Sequence, residues 1–195
     1  MKYLKKYNES KYLSKDGKVF NCSNKNLNEL PFIPETVKRL DCSDNRIKEL
    51  PRLPKGLEIL NCYYNDLKEL PKLPEGLKEL WCYFNKLNDL PELPKGLKEL
   101  DISYNNLTEL PKLPKGLKEL YCSLNNLTEL PKLPKRLKFL NCFDNKLNEL
   151  PRLPKGLEVL HCHNNNLPYK DLDEYWEWFY KENPDFEEAN KMGLF

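Results

Sequence analysis

The stretch GLEILNCYYNDLKELPKLPE, residues 56–75, returns as a 20-residue block without insertion from about Val19 to Leu167. Leucine recurs at 57, 77, 97, 117, 137 and 157, and again at every twentieth position from 40 to 160. Asparagine recurs from 45 to 165, and prolines come in pairs from Pro31 and Pro34 to Pro151 and Pro154. A fixed short period means that one block is one structural unit, too small to bury its own apolar side. Stacking the blocks buries those sides in a continuous column, so the expected architecture is a solenoid. Within the quoted block Leu57, Leu60, Cys62 and Leu67 are the inward residues. Around Leu60 and Cys62 the apolar alternation has period two, which requires an extended strand. A strand of about three to five residues cannot stand alone, whereas eight in parallel at about 4.8 Å make a sheet roughly 40 Å long.

The asparagine five residues beyond each strand leucine, Asn65 after Leu60, has a defined task. Its amide both donates and accepts, and so can satisfy backbone groups left open where the strand turns a corner. The far side of each block reads Leu-Pro-x-Leu-Pro-x-Gly. Two prolines three apart forbid an α-helix and favour polyproline II, in which every third residue faces the same way; Leu70 and Leu73 then point inward together. Glycine at 56, 76, 96, 116 and 156 is expected to relieve the turn back into the strand. Thr36 and Arg136 hold the same position, so a left-handed backbone is not obligatory there.

Composition agrees with a narrow core. Hydrophobic content of 39% and charged content of 32% would be lean for a globule but suit a coil whose broad faces meet water. A net charge of +2 is too small to imply nucleic acid or an anionic membrane. Residues 1–18 hold six lysines against two acids, and residues 168–195 eight acids against three lysines. These ends read as solvated tails, with weak head-to-tail contact as the alternative. The opening Met-Lys-Tyr-Leu-Lys-Lys is followed by no apolar stretch, so no signal peptide is expected. No run of about 18 apolar residues exists, so no membrane span is expected. Asn106 and Asn126 match glycosylation triplets only as copies of the repeat. Cys22, Cys42, Cys62, Cys82, Cys122, Cys142 and Cys162 share one repeat position, and Ile102 takes the eighth. A slot that accepts cysteine or isoleucine is a small apolar core slot, so the thiols read as reduced, buried and unreactive. That points to an intracellular, cytoplasmic protein.

Both ends depart from the pattern. Lys25 replaces the ladder asparagine and Gly17 the first leucine. Residues 1–18 are therefore expected to form an N-terminal cap, with Tyr3, Leu4, Tyr7, Tyr12 and Leu13 covering the open end as a short helix or a hairpin. Eight repeats fill 19–167. Residues 168–195 are expected to form a small helical C-terminal cap. Asp171 with Glu174 makes a capping-box start, and Leu172, Tyr175, Trp176 and Phe179 follow at helical spacing. Asn183-Pro184 should end that helix and begin a shorter one to about Met192.

At Leu-Pro-x-Leu-Pro-x-Gly-Leu-x-x-Leu the chain closely resembles the short 20-residue bacterial class of leucine-rich repeats, known from secreted effectors of the IpaH and YopM kind. Cysteine before the ladder asparagine, with lysine- and asparagine-rich filler, is also similar to leucine-rich-repeat proteins of giant viruses. The resemblance covers about 17–167. It implies a right-handed solenoid with a parallel β-sheet on the concave face and a polyproline-II or extended convex side. It also implies a non-enzymatic binding scaffold, in host cytoplasm if delivered or viral. The ubiquitin-ligase domain of the IpaH kind does not carry over, because only 28 residues follow Leu167 and none is cysteine.

Residues flanking the strand leucine and cysteine line the concave face, where the repeat is least repetitive. Tyr63, Tyr64, Trp81, Tyr83, Phe84, Tyr104 and Tyr121 gather there, beside a row of Glu79, Glu99 and Glu119 and near Asp101. Clustered exposed rings imply an interface, with Trp81, Tyr83, Tyr63 and Tyr121 as anchors. Tyr64, Phe84 and Tyr104 are equally well read as packing against the corner. The acidic row implies a protein partner carrying a basic element. His161 and His163 share a face but make only half a metal site, and Cys162 between them points inward. No catalytic residue, cofactor or small-molecule substrate is expected. Glu29, Glu49, Glu69, Asp89, Glu109, Glu129 and Glu149 read as a wet edge. Two alternatives remain. Lysines 18, 38, 78, 98, 118 and 138 beside the rings could hold a single-stranded nucleic acid, although the intervening carboxylates and scarce arginine weigh against it. A plain structural spacer is the other.

Overall fold

Alternating Leu-x-Cys points two side chains the same way only from an extended chain, and each repeat makes one such strand. The computed structural model describes residues 11–183. The strands are β1 (Val19–Asn21), β2 (Arg39–Asp41), β3 (Ile59–Asn61), β4 (Glu79–Trp81), β5 (Glu99–Asp101), β6 (Glu119–Tyr121), β7 (Phe139–Asn141) and β8 (Val159–His161). They form one parallel sheet in chain order, in register at the repeat length, with Leu60 opposite Leu80. The ladder continues past each strand into the corner: Cys62 N–H donates to the Trp81 carbonyl at 2.8 Å and Tyr64 N–H to that of Tyr83 at 3.1 Å. Each crossover is one repeat long, which makes the molecule a right-handed solenoid.

Leu57, Leu60, Cys62, Leu67, Leu70 and Leu73 are all buried, in a column that runs from Phe20 to Tyr175. The seven cysteines are free and buried. Burial pushes their thiols up, Cys22 and Cys162 to about 12 and the five between them further. The asparagine ladder takes the predicted role. Asn105 Nδ2 donates to the carbonyls of Cys82, Ile102 and Ser103 at 3.1, 3.0 and 3.2 Å, and its Oδ1 accepts from Leu87 N–H at 2.9 Å. Each such amide ties its own coil to the one before.

The convex side carries neither helix nor strand. Leu57 N–H donates to the Pro54 carbonyl at 3.1 Å, and the same bond recurs in each later repeat, closing a four-residue turn. The expected role of glycine in that turn needs correction. Gly56, Gly76, Gly96, Gly116 and Gly156 do not take a positive φ; among the described glycines only Gly17 does, at 72°. The turn suits any residue at its third position, which explains Thr36 and Arg136. The left-handed residue sits instead at the corner after the strand: Asn24, Asp44, Tyr64, Phe84, Tyr104, Leu124, Asp144 and Asn164, with φ between 49° and 54°.

At the front, Leu13 bridges Phe20 in antiparallel fashion and Asn21 N–H donates to the Tyr12 carbonyl at 2.8 Å. Of the helix and hairpin alternatives, the described part takes the hairpin; Tyr3, Leu4 and Tyr7 lie outside the described residues. At the back, Asp171 bridges His161 and Cys162 N–H donates to the Lys170 carbonyl at 3.2 Å, covering the β8 edge. Helix α1 (Leu172–Glu182) begins at Asp171, whose carboxylate accepts from Glu174 N–H at 3.0 Å. Glu174 accepts from Lys170 N–H rather than from that of Asp171, so the capping box is offset by one residue. Tyr175 is buried and its hydroxyl oxygen accepts from Leu153 N–H at 3.4 Å. Leu172, Trp176 and Phe179 pack on the column, with Tyr169 and Trp178, which the spacing did not single out. The second expected helix, 184–192, lies outside the described residues. Among the described residues no helix is long and apolar enough to cross a membrane.

Candidate interaction surface

Parallel strands in register turn each repeat position into a row. Glu79, Glu99 and Glu119 stand side by side on β4, β5 and β6. Two residues along, Asn61, Trp81, Asp101, Tyr121 and Asn141 form the next outward row across β3 to β7. Glu79, Glu99 and Glu119 are half-buried. Burial raises the Glu99 carboxyl, and the charges of Glu79 and Glu119 raise it further. Burial also raises Asp101, against the bond its Oδ1 accepts from Ser103 N–H at 3.0 Å. Among the described residues none of these four carboxylates belongs to an ion pair. Burial pushes the Tyr121 phenol up to about 12, with Glu119 adding to the rise; its O–H donates to that carboxylate at 2.9 Å.

The rings form a ladder rather than a scatter. Tyr63 stacks on Tyr83 at 4.5 Å, Tyr64 on Phe84 at 4.3 Å and Phe84 on Tyr104 at 3.8 Å. The two stacks meet edge-to-face, Tyr63 with Tyr64 at 76° and Tyr83 with Phe84 at 67°. Three of the named candidates, Tyr63, Tyr83 and Tyr104, thus share one block with Tyr64 and Phe84. The corner rings pack on one another, and Tyr64 stays 46% and Tyr104 42% exposed. Beside them runs a groove of about 760 Å³, bounded by Tyr64, Phe84, Tyr104, Leu124 and the ladder asparagines. Tyr121 stands apart, its ring 4.7 Å from that of Phe139. Trp81 and Asp101 lie between the two groups.

Two residues escaped the sequence reading. Asn21, Asp41 and Asp101 each have a serine two residues on, and their Oδ1 accepts from that serine's N–H, at Asn21 and Asp41 from its hydroxyl as well. At Asn61 and Asn141 the serine is replaced by Tyr63 and Phe143. Their Oδ1 atoms are buried with no hydrogen-bond partner, Asn61 as a whole being 5% exposed. Loss of the Asn/Asp-x-Ser pattern was the available signal.

The lysine row is interrupted. Lys38 and Lys78 both pair with Glu58, and Lys138 with Glu158. His161 lies edge-on to Phe139 and His163 stacks on Phe143 at 4.7 Å. Among the described residues no three His, Cys, Asp or Glu side chains converge as metal ligands would.

A family model for the Leucine Rich Repeat matches residues 96–117. The leucine-rich-repeat domain of a Shigella effector is 31% identical, with a TM-score of 0.71 over 84% of this chain and 78% of that one. The chain belongs to the leucine-rich-repeat family. YopM from Yersinia enterocolitica WA-314 is 35% identical, with a TM-score of 0.68 over 77% of this chain. The chain spans 38% of the length of that YopM. The functional domain of InlJ from Listeria monocytogenes, which includes a cysteine ladder, is 26% identical with a TM-score of 0.53, covering 78% of this chain and 45% of its own. Comparison with curated proteins gives no match. Leucine-rich-repeat proteins similar to bacterial effectors are generally interaction scaffolds, and such repeat domains are generally non-catalytic.

Proposed function

We propose that this chain is a non-catalytic scaffold that binds a partner protein on its concave sheet, in the cytoplasm of its own or a host cell. Tyr63, Trp81, Tyr83, Tyr104 and Tyr121 supply the apolar anchors; Glu79, Glu99, Glu119 and Asp101 orient a basic element of the partner. The observation that carries this reading is the ring ladder, half-buried at Tyr63, Tyr83 and Phe84 and exposed at Tyr64 and Tyr104, beside carboxylates without a cationic partner, in the part of the repeat that varies most. Rings of this kind dominate interface hot spots, and carboxylates that repel one another gain most from an incoming cation. Residues 1–18 and 168–195 belong to this proposal as caps on the array 19–167. Pairing of Lys38, Lys78 and Lys138 with glutamates interrupts the phosphate track, which speaks against single-stranded nucleic acid.

The test is affinity capture from lysate with the wild type, with Trp81→Ala/Tyr83→Ala, and with Lys112→Ala/Lys132→Ala on the convex side. Loss of a partner from the first variant alone supports the reading. Equal recovery from all three favours a spacer and overturns it, as does an oligonucleotide that binds tightly and is released steeply by salt.

A further inference from the structure

Two tracks run along the concave sheet, one of carboxylates and one of rings. Glu79, Glu99 and Glu119 stand one per strand. Tyr83 lies four residues beyond Glu79, about 13 Å away in extended chain. That separation is close to the width of an α-helix with its side chains, about 10–12 Å. Spacing along the tracks is equally selective. Strands about 4.8 Å apart place the three carboxylates at roughly 0, 4.8 and 9.6 Å. Helical residues i, i+3 and i+7 rise by about 0, 4.5 and 10.5 Å, within about 1 Å of each. Same-face residues of an extended peptide fall at about 0, 6.7 and 13.4 Å, nearly 4 Å out by the third.

Charge and strain point to an occupant. Burial of Glu99 beside two like charges leaves a site that a cation relieves. Asn61 Oδ1, on the neighbouring row beside Trp81, is a buried acceptor without a donor. Tyr64, Phe84 and Tyr104 hold left-handed backbone at φ 49°, 52° and 54°. The outer coils put Asn24, Asp44, Asp144 and Asn164 at that corner, residue types that take the conformation readily. The central coils thus hold rings at the surface against local backbone preference, an outlier of the kind that marks functional surfaces.

We propose that the concave trough receives an amphipathic α-helix of the partner, lying along the solenoid axis. A lysine or arginine stripe at i, i+3 and i+7 meets Glu79, Glu99 and Glu119, and an apolar stripe on the other flank meets Tyr83 and Phe84. This rests on the concave-face reading and adds the partner's shape and chemistry.

Two labelled peptides of identical composition, each about 18 residues so that helix can form, test it against the full chain by fluorescence anisotropy. One carries its lysines and leucines in helical stripes, the other in strict alternation. The expected result is binding of the striped peptide at least tenfold tighter, with a gain of helical circular dichroism. Glu99→Gln/Glu119→Gln should weaken it by about tenfold or more, while Glu109→Gln/Glu129→Gln on the exposed edge leaves it unchanged. Equal affinity of the two peptides, equal loss in the two glutamine pairs, or no binding of either peptide overturns the helix. If a captured partner still depends on Trp81 and Tyr83 when the striped peptide fails, the helix falls and the concave-face reading stands.

Discussion

Replacing Asn105 by alanine isolates what the asparagine ladder contributes. Each carbonyl that Asn105 serves has a second donor: Cys82 from Asn85 Nδ2 at 3.1 Å, Ile102 from Asn125 Nδ2 at 3.0 Å, Ser103 from Phe84 N–H at 3.0 Å. Leu87 N–H has only Asn105 Oδ1, at 2.9 Å. The substitution therefore orphans one buried donor outright and thins three shared bonds. An unsatisfied buried donor costs about 1–3 kcal/mol, so with the shared bonds a loss of roughly 2–3 kcal/mol follows. In a domain of this size about 2–4 °C of melting temperature accompanies each kcal/mol, giving a fall of about 4–12 °C. Asn165 makes the same bonds, to Cys142, Cys162, His163 and Leu147, but in the last coil, where water reaches the amide. Asn165→Ala should cost no more than about 1 kcal/mol. Thermal and urea unfolding followed by circular dichroism measures both, and unchanged urea slopes confirm that the array still melts as a unit. Equal shifts for the two variants, or no shift for Asn105→Ala, would refute the view that buried backbone satisfaction holds the coils together.

Glu99→Gln tests the acidic row by pH. The folded Glu99 carboxyl is raised above its ordinary value, so its ionisation opposes folding: the penalty is absent in acid, grows as pH rises past the unfolded value and is complete above the folded one. The variant should melt higher than wild type at pH 7 and identically at about pH 3, below the usual carboxylate value; a gain that persists in acid would point to packing instead. At the corner, Leu124→Asn removes a side chain that disfavours left-handed backbone and takes part in no ring stack. It should stabilise by about 0.5–1 kcal/mol, whereas Phe84→Asn loses two stacked neighbours and should destabilise, as read from urea midpoints. Thiol-specific disulfide reagents at pH 8 should leave the native chain unmodified and count seven thiols in denaturant, Cys22 and Cys162 reacting first as denaturant rises; prompt labelling of Cys82 or Cys122 would contradict the burial. Tyr175→Ala should cost about 3–5 kcal/mol by opening a void under α1, and a melting curve unchanged by it would show that the helix does not seal the column.

The architecture was legible because local and tertiary demands coincide at the repeated positions. Leu60 and Cys62 must face the same way in a strand, Asn65 must serve an open corner, and Pro71 with Pro74 excludes a helix; no other reading satisfies all three. The convex turn misled because glycine has two uses, left-handed backbone and simple absence of a side chain. Gly76, whose nearest neighbour to an added Cβ would be the Leu57 carbonyl at 3.7 Å, needs neither strictly. The true left-handed position was hidden by Tyr64, Phe84, Tyr104 and Leu124, which mask the Asn and Asp preference seen at 24, 44, 144 and 164.

The surface was legible only down to the choice of face. Period-two alternation sends Trp81, Asp101 and Tyr121 outward together, but it says nothing about χ angles, and these decide which neighbours touch. Tyr121 turns back toward Glu119 and Phe139 instead of joining the Tyr63–Tyr83 stack. Asn61 lacks the hydroxyl donor that Ser23 and Ser43 give to Asn21 and Asp41 from two residues away, a coupling that no single position displays. In a solenoid the core positions are copied and the fold tolerates little else there. Where the copies disagree, packing alone does not dictate the residue, and the costs are of three kinds: rings at left-handed corners, carboxylates without cations, and the two amides Asn61 and Asn141 without a donor. Unrelated drift would scatter such costs over eight coils. The stacked corner rings and the half-buried acidic row fall together on the coils of β3 to β6, the region the proposed surface occupies, while the donorless amides bracket it at Asn61 and Asn141.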